Sequence, residues 1–493
     1  MDQREKNLPL YPYISLVVLL IIQYLLISNT LHRVWHLRFI VCVGVCIFIS
    51  VFGGKRLQKG GWVFIYTLVC LILLFKASYE QTFDSGLRTP HIISLQGIAT
   101  SDTSLSASHN SVFSCNVTSV SNTQGDTTSA KGEVVIISQK EVSVYQGFFV
   151  TVRGSFLLDA QAPIVIADHV ESSLPINKLH KWYVSHRIIL LKSIISQLNT
   201  LPYPASYMAK ALFIGVMDEY SLLKEYSLES GAAHVLALSG LHMNIVMMGF
   251  AFLISKTPAK KASFIISFCV AVVYVAIVGV RASLLRALLL VLFAHVGTKR
   301  FSLLKAYVVQ LLLFPSTMLS VASLLSYGSI LSLVLFSSSI SRRITPLLPL
   351  PIAQGLGSAI GVNMGTTAFS LALFGVWYPI GIPLSLVIIP LATMLLSMTM
   401  MYVLAPVVVL EKALVALASS YQKIVEWGSF YSIEGDLFFY LLFVIGVLTV
   451  LKGVEYASCA LQNELRRSYN VGLSLRFTHS NTNTLRRRTT SIK

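Results

Sequence analysis

Apolar runs long enough to cross a bilayer recur along this chain, and nothing else in it restricts the fold as much. The runs are about 16 to 23 residues long, the length a helix needs to traverse a hydrocarbon core. Of the 493 residues 55% are hydrophobic and 12% charged, the latter about half of what a soluble domain carries. A mean hydropathy of +0.72 agrees. There are too many such runs for one anchor, so an all-α polytopic membrane protein is expected.

Three spans open the chain, near 9–28, 37–53 and 62–76. The first run, Leu8 to Ile27, has no small-residue cleavage site before Asn29 and is expected to be retained, unlike a signal peptide. Lys55, Arg56 and Lys59 place the second loop in the cytoplasm by the positive-inside bias, so the third span exits outward and closes an N-terminal unit at 1–83.

The segment 84–175 is of another kind. It is rich in Ser, Thr and Gly, and its short β-type runs are HIISLQGIA, SVFSCNVTSV, GEVVIISQK, GFFVTVRGSFLL and PIVIADHV. Turn residues Asn122, Gly125, Asp126 and Gly132 separate them. Five strands in so short a segment suit a small closed barrel of the OB type, with a minimal sandwich as the alternative. The fold class expected is thus an all-α polytopic membrane protein with an inserted OB-like extracytoplasmic β-barrel domain.

Residues 176–202 alternate basic and apolar positions at helical spacing, with Trp182 and Tyr183 beside His180, Lys181, His186, Arg187 and Lys192. This pattern predicts an amphipathic interfacial helix, with a solvated linker helix as the other possibility.

The region 203–452 is mostly membrane. Spans are predicted at 233–255, 263–280, 282–298, 303–320, 321–340, 355–375, 378–390, 391–410 and 437–451, and the pair around Pro390 could be one broken span. Basic clusters at Lys256/Lys260/Lys261, Lys299/Arg300/Lys305 and Arg342/Arg343 share one parity, and about eleven or twelve crossings follow. The amphipathic stretch 411–434 is expected outside, against the membrane. The tail 453–493 is strongly basic, with no acid after Glu464, and is expected to be disordered and cytoplasmic.

Charge is distributed unevenly. The whole chain carries +17, whereas Asp84 to Glu171 holds four basic and eight acidic residues, a net of −4. Topology accounts for much of the basic excess before nucleic acid is invoked. The six cysteines contain no C-x-x-C pair, and Cys115 stands alone in the insert. Zinc and redox chemistry therefore find no support, and no metal, cofactor or catalytic residue is expected.

The most informative stretch is 209–250. Polar residues inside an apolar helix usually face a cavity or a partner, which singles out His234, Ser239 and His242, while Gly240 permits close approach. Ser239 and His242 would share a helical face. The pattern H-V-L-A-L-S-G-L-H at 234–242 resembles the signature of the ComEC competence family. Ala211-Leu212-Phe213-Ile214-Gly215 and Gly231 match the run leading into it. Arg281-Ala282-Ser283-Leu284-Leu285-Arg286-Ala287 resembles the family's P-S-x-x-R-A stretch, with Ala282 where Pro is usual. Leu325-Ser326-Tyr327 resembles its F-Q-L-S-F stretch, with Ser323 and Leu324 in place of the first two letters.

The resemblance implies a multi-pass channel in the bacterial cytoplasmic (inner) membrane, passing single-stranded DNA inward among membrane lipids during natural transformation. Many relatives carry a C-terminal metallo-β-lactamase-like domain, yet no H-x-H-x-D-H cluster stands here, nor any G-x-x-x-x-G-K-[ST] loop. A conduit without motor or nuclease is expected. Its partners would be a separate cytoplasmic ATP-driven helicase or translocase, an external DNA receptor and a separate nuclease.

Arg281 and Arg286 interrupt a run from Cys269 to Gly297 that is otherwise uncharged. Either could hand phosphates along a pore. The structural alternatives are an interfacial Arg281 and an Arg286 paired with Asp218, Glu219 or Glu229. Asn363, with Thr366 and Thr367, forms a weaker polar stripe. In the insert Phe148 and Phe149, with Phe113, Tyr145 and Phe156, could stack bases, and Lys131, Lys140 and Arg153 could touch phosphates. The net −4 argues for weak binding by the insert alone. A transporter of a small or lipid-linked solute is the alternative function. An intramembrane hydrolase with Ser239 as nucleophile and His242 as base is another, although no acid is placed to orient the histidine.

Overall fold

A computed structural model describes residues 11–27, 61–85, 92–106, 110–122, 124–157, 163–217, 222–236, 240–254, 260–296, 301–438 and 440–447. The span expected at 37–53, the basic tail, Asp218, Glu219 and Ser239 lie outside the described residues.

Most of the described chain is helical, and a separate sheet domain interrupts it. Helices α1 (Tyr11–Ile27) and α2 (Gly61–Gln81) precede the sheet. After it come α3 (Lys178–Leu198), α4 (Ala205–Ile214), α5 (Leu222–Glu229), α6 (Ala233–Leu236), α7 (Gly240–Ile254), α8 (Lys260–Val278), α9 (Ala282–Val296), α10 (Ser302–Leu313) and α11 (Pro315–Met318). The last are α12 (Val321–Ile344), α13 (Leu350–Phe374), α14 (Gly381–Leu404) and α15 (Val408–Phe430). Among the described residues α12, α13 and α14 are long and apolar enough to cross a membrane, and α4 and α8 to α10 are shorter apolar helices.

The structure refines several sequence expectations. The two short spans around Pro390 are one 24-residue helix, α14, with the proline inside it. Of the span expected at 233–255, the described residues 233–236 and 240–254 are helical, as α6 and α7. The amphipathic stretch 411–434 lies largely in α15, which packs along α14. Its Leu414, Ala418, Tyr421, Val425 and Gly428 are buried on one helical face, with Gly428 seated against Leu384. Val408, Val409, Trp427 and Phe430 of the same helix stay exposed.

Helices α12 and α13 approach unusually closely. Gly357, Gly361 and Gly365 recur at four-residue intervals on α13 and meet Ser341, Ser337 and Ser332 of α12. A Cβ at Gly361 would lie 3.1 Å from the Ser337 backbone nitrogen, and one at Gly357 or Gly365 would run into the Ser341 or Ser332 hydroxyl. Lipid offers apolar helices no hydrophobic gain on association, so small residues that let backbones touch supply the adhesion. The facing part of α12, Leu333–Ser337, is wound as a π-helix.

In the sheet domain the five expected strands are present as β2 (Ile92–Ala99), β4 (Ser111–Asn122), β6 (Glu133–Ser138), β7 (Phe149–Leu157) and β8 (Ile164–Ser173), with short β1 (Asp84–Ser85), β3 (Ser104–Leu105) and β5 (Thr127–Lys131) added. β2 pairs β4, β4 pairs β6, β6 pairs β8, β8 pairs β7, and β7 returns to β2. All these pairings are antiparallel except β6 with β8. Alternation explains the core: Leu95, Phe113, Cys115, Val117, Val134, Ile136, Val150, Val152 and Val165 point inward from their strands. Asn122 shapes the turn before β5, its Oδ1 accepting from the backbone nitrogens of Gln124 and Asp126, each at 2.9 Å.

Two outcomes follow. Gly361→Leu should wedge α12 from α13 and sharply lower the amount of folded protein recovered from membranes, whereas the same change at exposed Ala416 on α15 should not; equal yields would contradict the packing. Burial pushes the Cys115 thiol up to about 12, with Glu133 adding to it. A variant keeping only that cysteine should therefore resist maleimide at pH 8 until denatured.

Candidate functional site

The three stretches singled out in the sequence meet in space. Gly240 lies on α7, and a Cβ there would sit 3.3 Å from Arg286 Nη2 and 3.5 Å from Ala287 Cβ on α9. Arg286 is 4% exposed. Its Nη1 donates to the carbonyl of Ser326 on α12. Its Nε has no hydrogen-bond partner among the described residues. No carboxylate there forms an ion pair with it either, the pairs being Lys76–Glu80, Lys131–Asp84, His169–Glu171 and Arg187–Asp102. Of the acids weighed as partners, the described one, Glu229, does not pair with it.

A polar framework surrounds this point. The Tyr327 hydroxyl donates to Gln310 Oε1 at 2.9 Å, and Gln310 Nε2 donates to the Ala282 carbonyl at 3.2 Å. The Tyr307 hydroxyl donates to Gln23 Oε1 at 3.0 Å, and Gln23 Nε2 donates to the Met318 carbonyl at 2.5 Å. The Tyr307 and Tyr327 rings meet edge to face, 5.0 Å apart. Hydrogen bonds thus fasten α9 to α10, α10 to α12 and α1 to α10, as buried polar groups require.

The two histidines differ. His242 is buried, 2% exposed. His234 is exposed although protein surrounds it closely. Its Nδ1 lies 3.0 Å from the Gly231 carbonyl, which only accepts, so Nδ1 carries a proton and donates it there. Gly231 allows this turn with φ +71°, and its backbone abuts Gly381 at the start of α14. Arg281 is also exposed inside the body of the protein, with Nη2 donating to the Gly215 carbonyl at 3.3 Å.

Asn363 is engaged elsewhere. Its Oδ1 accepts from Trp377 Nε1 at 3.0 Å and its Nδ2 donates to the Ala359 carbonyl at 2.9 Å, which ties α13 to the loop before α14. In the sheet domain Lys131 lies over the Tyr79 ring at 3.7 Å and 3.6 Å from Asp84, joining the domain to α2. Lys140 and Arg153 are exposed, and Phe148 and Phe149 are half-buried. Phe113 is core. Among the described residues no group of three or more His, Cys, Asp or Glu could hold a metal.

Sequence reasoning passed over Arg187, the residue that joins the two parts. From α3 its Nη1 and Nη2 donate to both oxygens of Asp102 in the sheet domain, at 2.9 and 2.7 Å. Its Nε donates to the Ile277 carbonyl at 3.0 Å and Nη2 to that of Val278 at 3.3 Å, at the end of α8. Asp102 Oδ1 also accepts from the Gln146 backbone at 2.8 Å, and the Tyr183 hydroxyl donates to the Ala276 carbonyl at 2.7 Å. Burial lowers the Arg187 pKa, but the hydrogen bonds and charge of Asp102 outweigh it and the net shift is upward. Gly279, at φ +106°, leaves no room for a side chain: a Cβ would lie 3.1 Å from Gln146 Oε1 and 3.2 Å from Arg187 Nη2.

Arg187→Ala would strand the Asp102 carboxylate and two carbonyls, a loss of about 2–5 kcal/mol for a hydrogen-bonded charge pair at an interface. Hydrogen exchange should then rise around 276–279 and 100–103 while Cys115 stays protected. Unchanged exchange would show that other contacts hold the domain.

Comparison with known proteins agrees with the motifs. Residues 221–453 match the family model described as Competence protein. A relative, ComE operon protein 3 of Bacillus subtilis (strain 168), is 28% identical over 218 residues, which are 41% of this chain and 27% of that protein. The chain therefore spans only about a quarter of that relative in the alignment. No solved structure matches. Over residues 221–453 the chain is thus similar to the competence-protein family.

Proposed function

We propose that this competence-family membrane protein is the conduit through which single-stranded DNA crosses the bacterial cytoplasmic membrane during transformation. The observation that carries the proposal is the convergence of the signature stretches on buried Arg286, which meets Gly240 and the Ser326 carbonyl within the matched region. A strand moving through a bilayer needs an aqueous path and cations that answer its phosphates without gripping them. Exposed Arg281 and His234 suit such a path, and buried Arg286 suits the wall behind it.

In this reading the sheet domain is an OB-like barrel. Support comes from its closed circuit of five pairings with a single parallel contact between β6 and β8. It docks at the Val278 end of α8, away from Lys260 and Lys261 at the other end. Basic loops favour the cytoplasm, so this end faces outward, and the helices form a multi-pass bundle. Directional movement would draw on a separate ATP-driven translocase, with an external receptor delivering DNA and a separate nuclease where one strand is degraded.

Deleting the gene should abolish entry of labelled DNA into the cytoplasm, and unchanged entry would end the proposal. Arg286→Ala strands the Ser326 carbonyl and, among the described residues, no carboxylate, a penalty of about 1–3 kcal/mol. The variant should therefore accumulate in the membrane yet admit at least tenfold less DNA, with Arg286→Lys intermediate. Normal abundance with normal uptake in Arg286→Ala would remove this residue from the path.

A further inference from the structure

The sheet domain lacks the charge to hold a nucleic acid by itself. It is net −4 over Asp84 to Glu171, and one of its few cations, Lys131, is engaged with Tyr79 and Asp84. At its junction with the helices the balance reverses. Both oxygens of Asp102 are taken by Arg187, so that acid is neutralised, and the other acid of the adjoining loop, exposed Glu141, stands next to Lys140. On one flank Lys192 of α3 is exposed, with Nζ 5.9 Å above the ring of Tyr145. Tyr145 meets Phe148 edge to face at 5.7 Å, and both rings are half-buried. On the other flank Gly279 abuts Gln146, the neighbour of Tyr145, and two residues on stands exposed Arg281.

We propose that this crevice, with the 139–148 loop of the sheet domain on one side and Lys192 and Arg281 on the other, binds the sugar-phosphate backbone of an incoming single strand, and that it exists only while the sheet domain is docked. The cations come from the helices and the stacking surface from the sheet domain, so neither part is sufficient. Lys192 and Arg281 contact phosphates, and Tyr145, with Phe148 behind it, offers a face to a base. Lys140, exposed at the start of the loop, extends the basic edge. The inference rests on the conduit reading for the identity of the strand and adds where the strand is first held.

The test uses the full chain in detergent or nanodiscs and a fluorescent oligothymidylate of about 20 nucleotides, longer than one OB-type site, with anisotropy read across a salt series. Single-strand binding loses about 0.7 in the slope of log K against log salt for each phosphate contact removed. Lys192→Gln with Arg281→Gln should therefore weaken binding at least tenfold and reduce the slope by about 1.4. Tyr145→Ala should weaken binding about fivefold or more with little change in slope, as loss of stacking does. Maleimide protection of Cys115 confirms that the sheet domain remains folded in each variant. A double variant with wild-type affinity and slope would overturn the crevice, as would a wild-type chain that fails to bind the oligonucleotide at low salt. Either failure is distinct from failure of the conduit, which is read from DNA entry in the gene deletion.

Discussion

A guanidinium among apolar helices has to be answered by polar groups, and the answer given to Arg286 organises the helices around it. An arginine near the middle of a span costs about 2.5–3.5 kcal/mol on insertion scales. Among the described residues it is answered by the Ser326 carbonyl, a neutral acceptor, and by close approach of the backbone at Gly240. A carbonyl holds the charge in place without cancelling it, so the site keeps a positive field. The neighbouring bonds from Tyr327 to Gln310 and from Gln310 to Ala282 brace the same helices. A glycine at 240 and a serine carbonyl at 326 thus have a common cause in the arginine between them.

Arg187 shows the opposite arrangement. It is also buried, at 3% exposure, but a bidentate carboxylate meets it and the charge is spent. What the bond contributes is position: it fixes an acidic sheet domain on a basic helical body at the α8–α9 corner, where Gly279 keeps the joint clear. One arginine is used as structure and the other retains its charge.

How far the sequence disclosed this depended on the range of the interaction. The five main strands were legible because alternation and turn chemistry are local, and each run quoted from the sequence covers one of them or most of it, β4 and β8 running on to Asn122 and Ser173. The signature around Gly240 and the stretch around Arg286 were legible as motifs, but their contact was not, because it depends on helix packing. Asp102 and Arg187 are 85 residues apart, and nothing local marks either as a partner. The Gly357, Gly361, Gly365 series could have been read as a close helix contact, since small residues at four-residue spacing are its usual signal. The amphipathic pattern of 411–434 was legible, but its packing on α14 was not, because periodicity reveals a face and not what covers it. Asn363 stood out as a polar residue in a span, and its bond to Trp377 belongs to a loop that no pattern anticipates.

The central claim is that an aqueous path for DNA runs beside the signature stretch. A single cysteine at His234 in a cysteine-free background, treated from outside with a membrane-impermeant thiol reagent with and without transforming DNA present, tests it most directly. The account predicts that the cysteine reacts with the reagent and that DNA protects it. A cysteine at 234 that never reacts, or that reacts at the same rate whether or not DNA is entering, would contradict it.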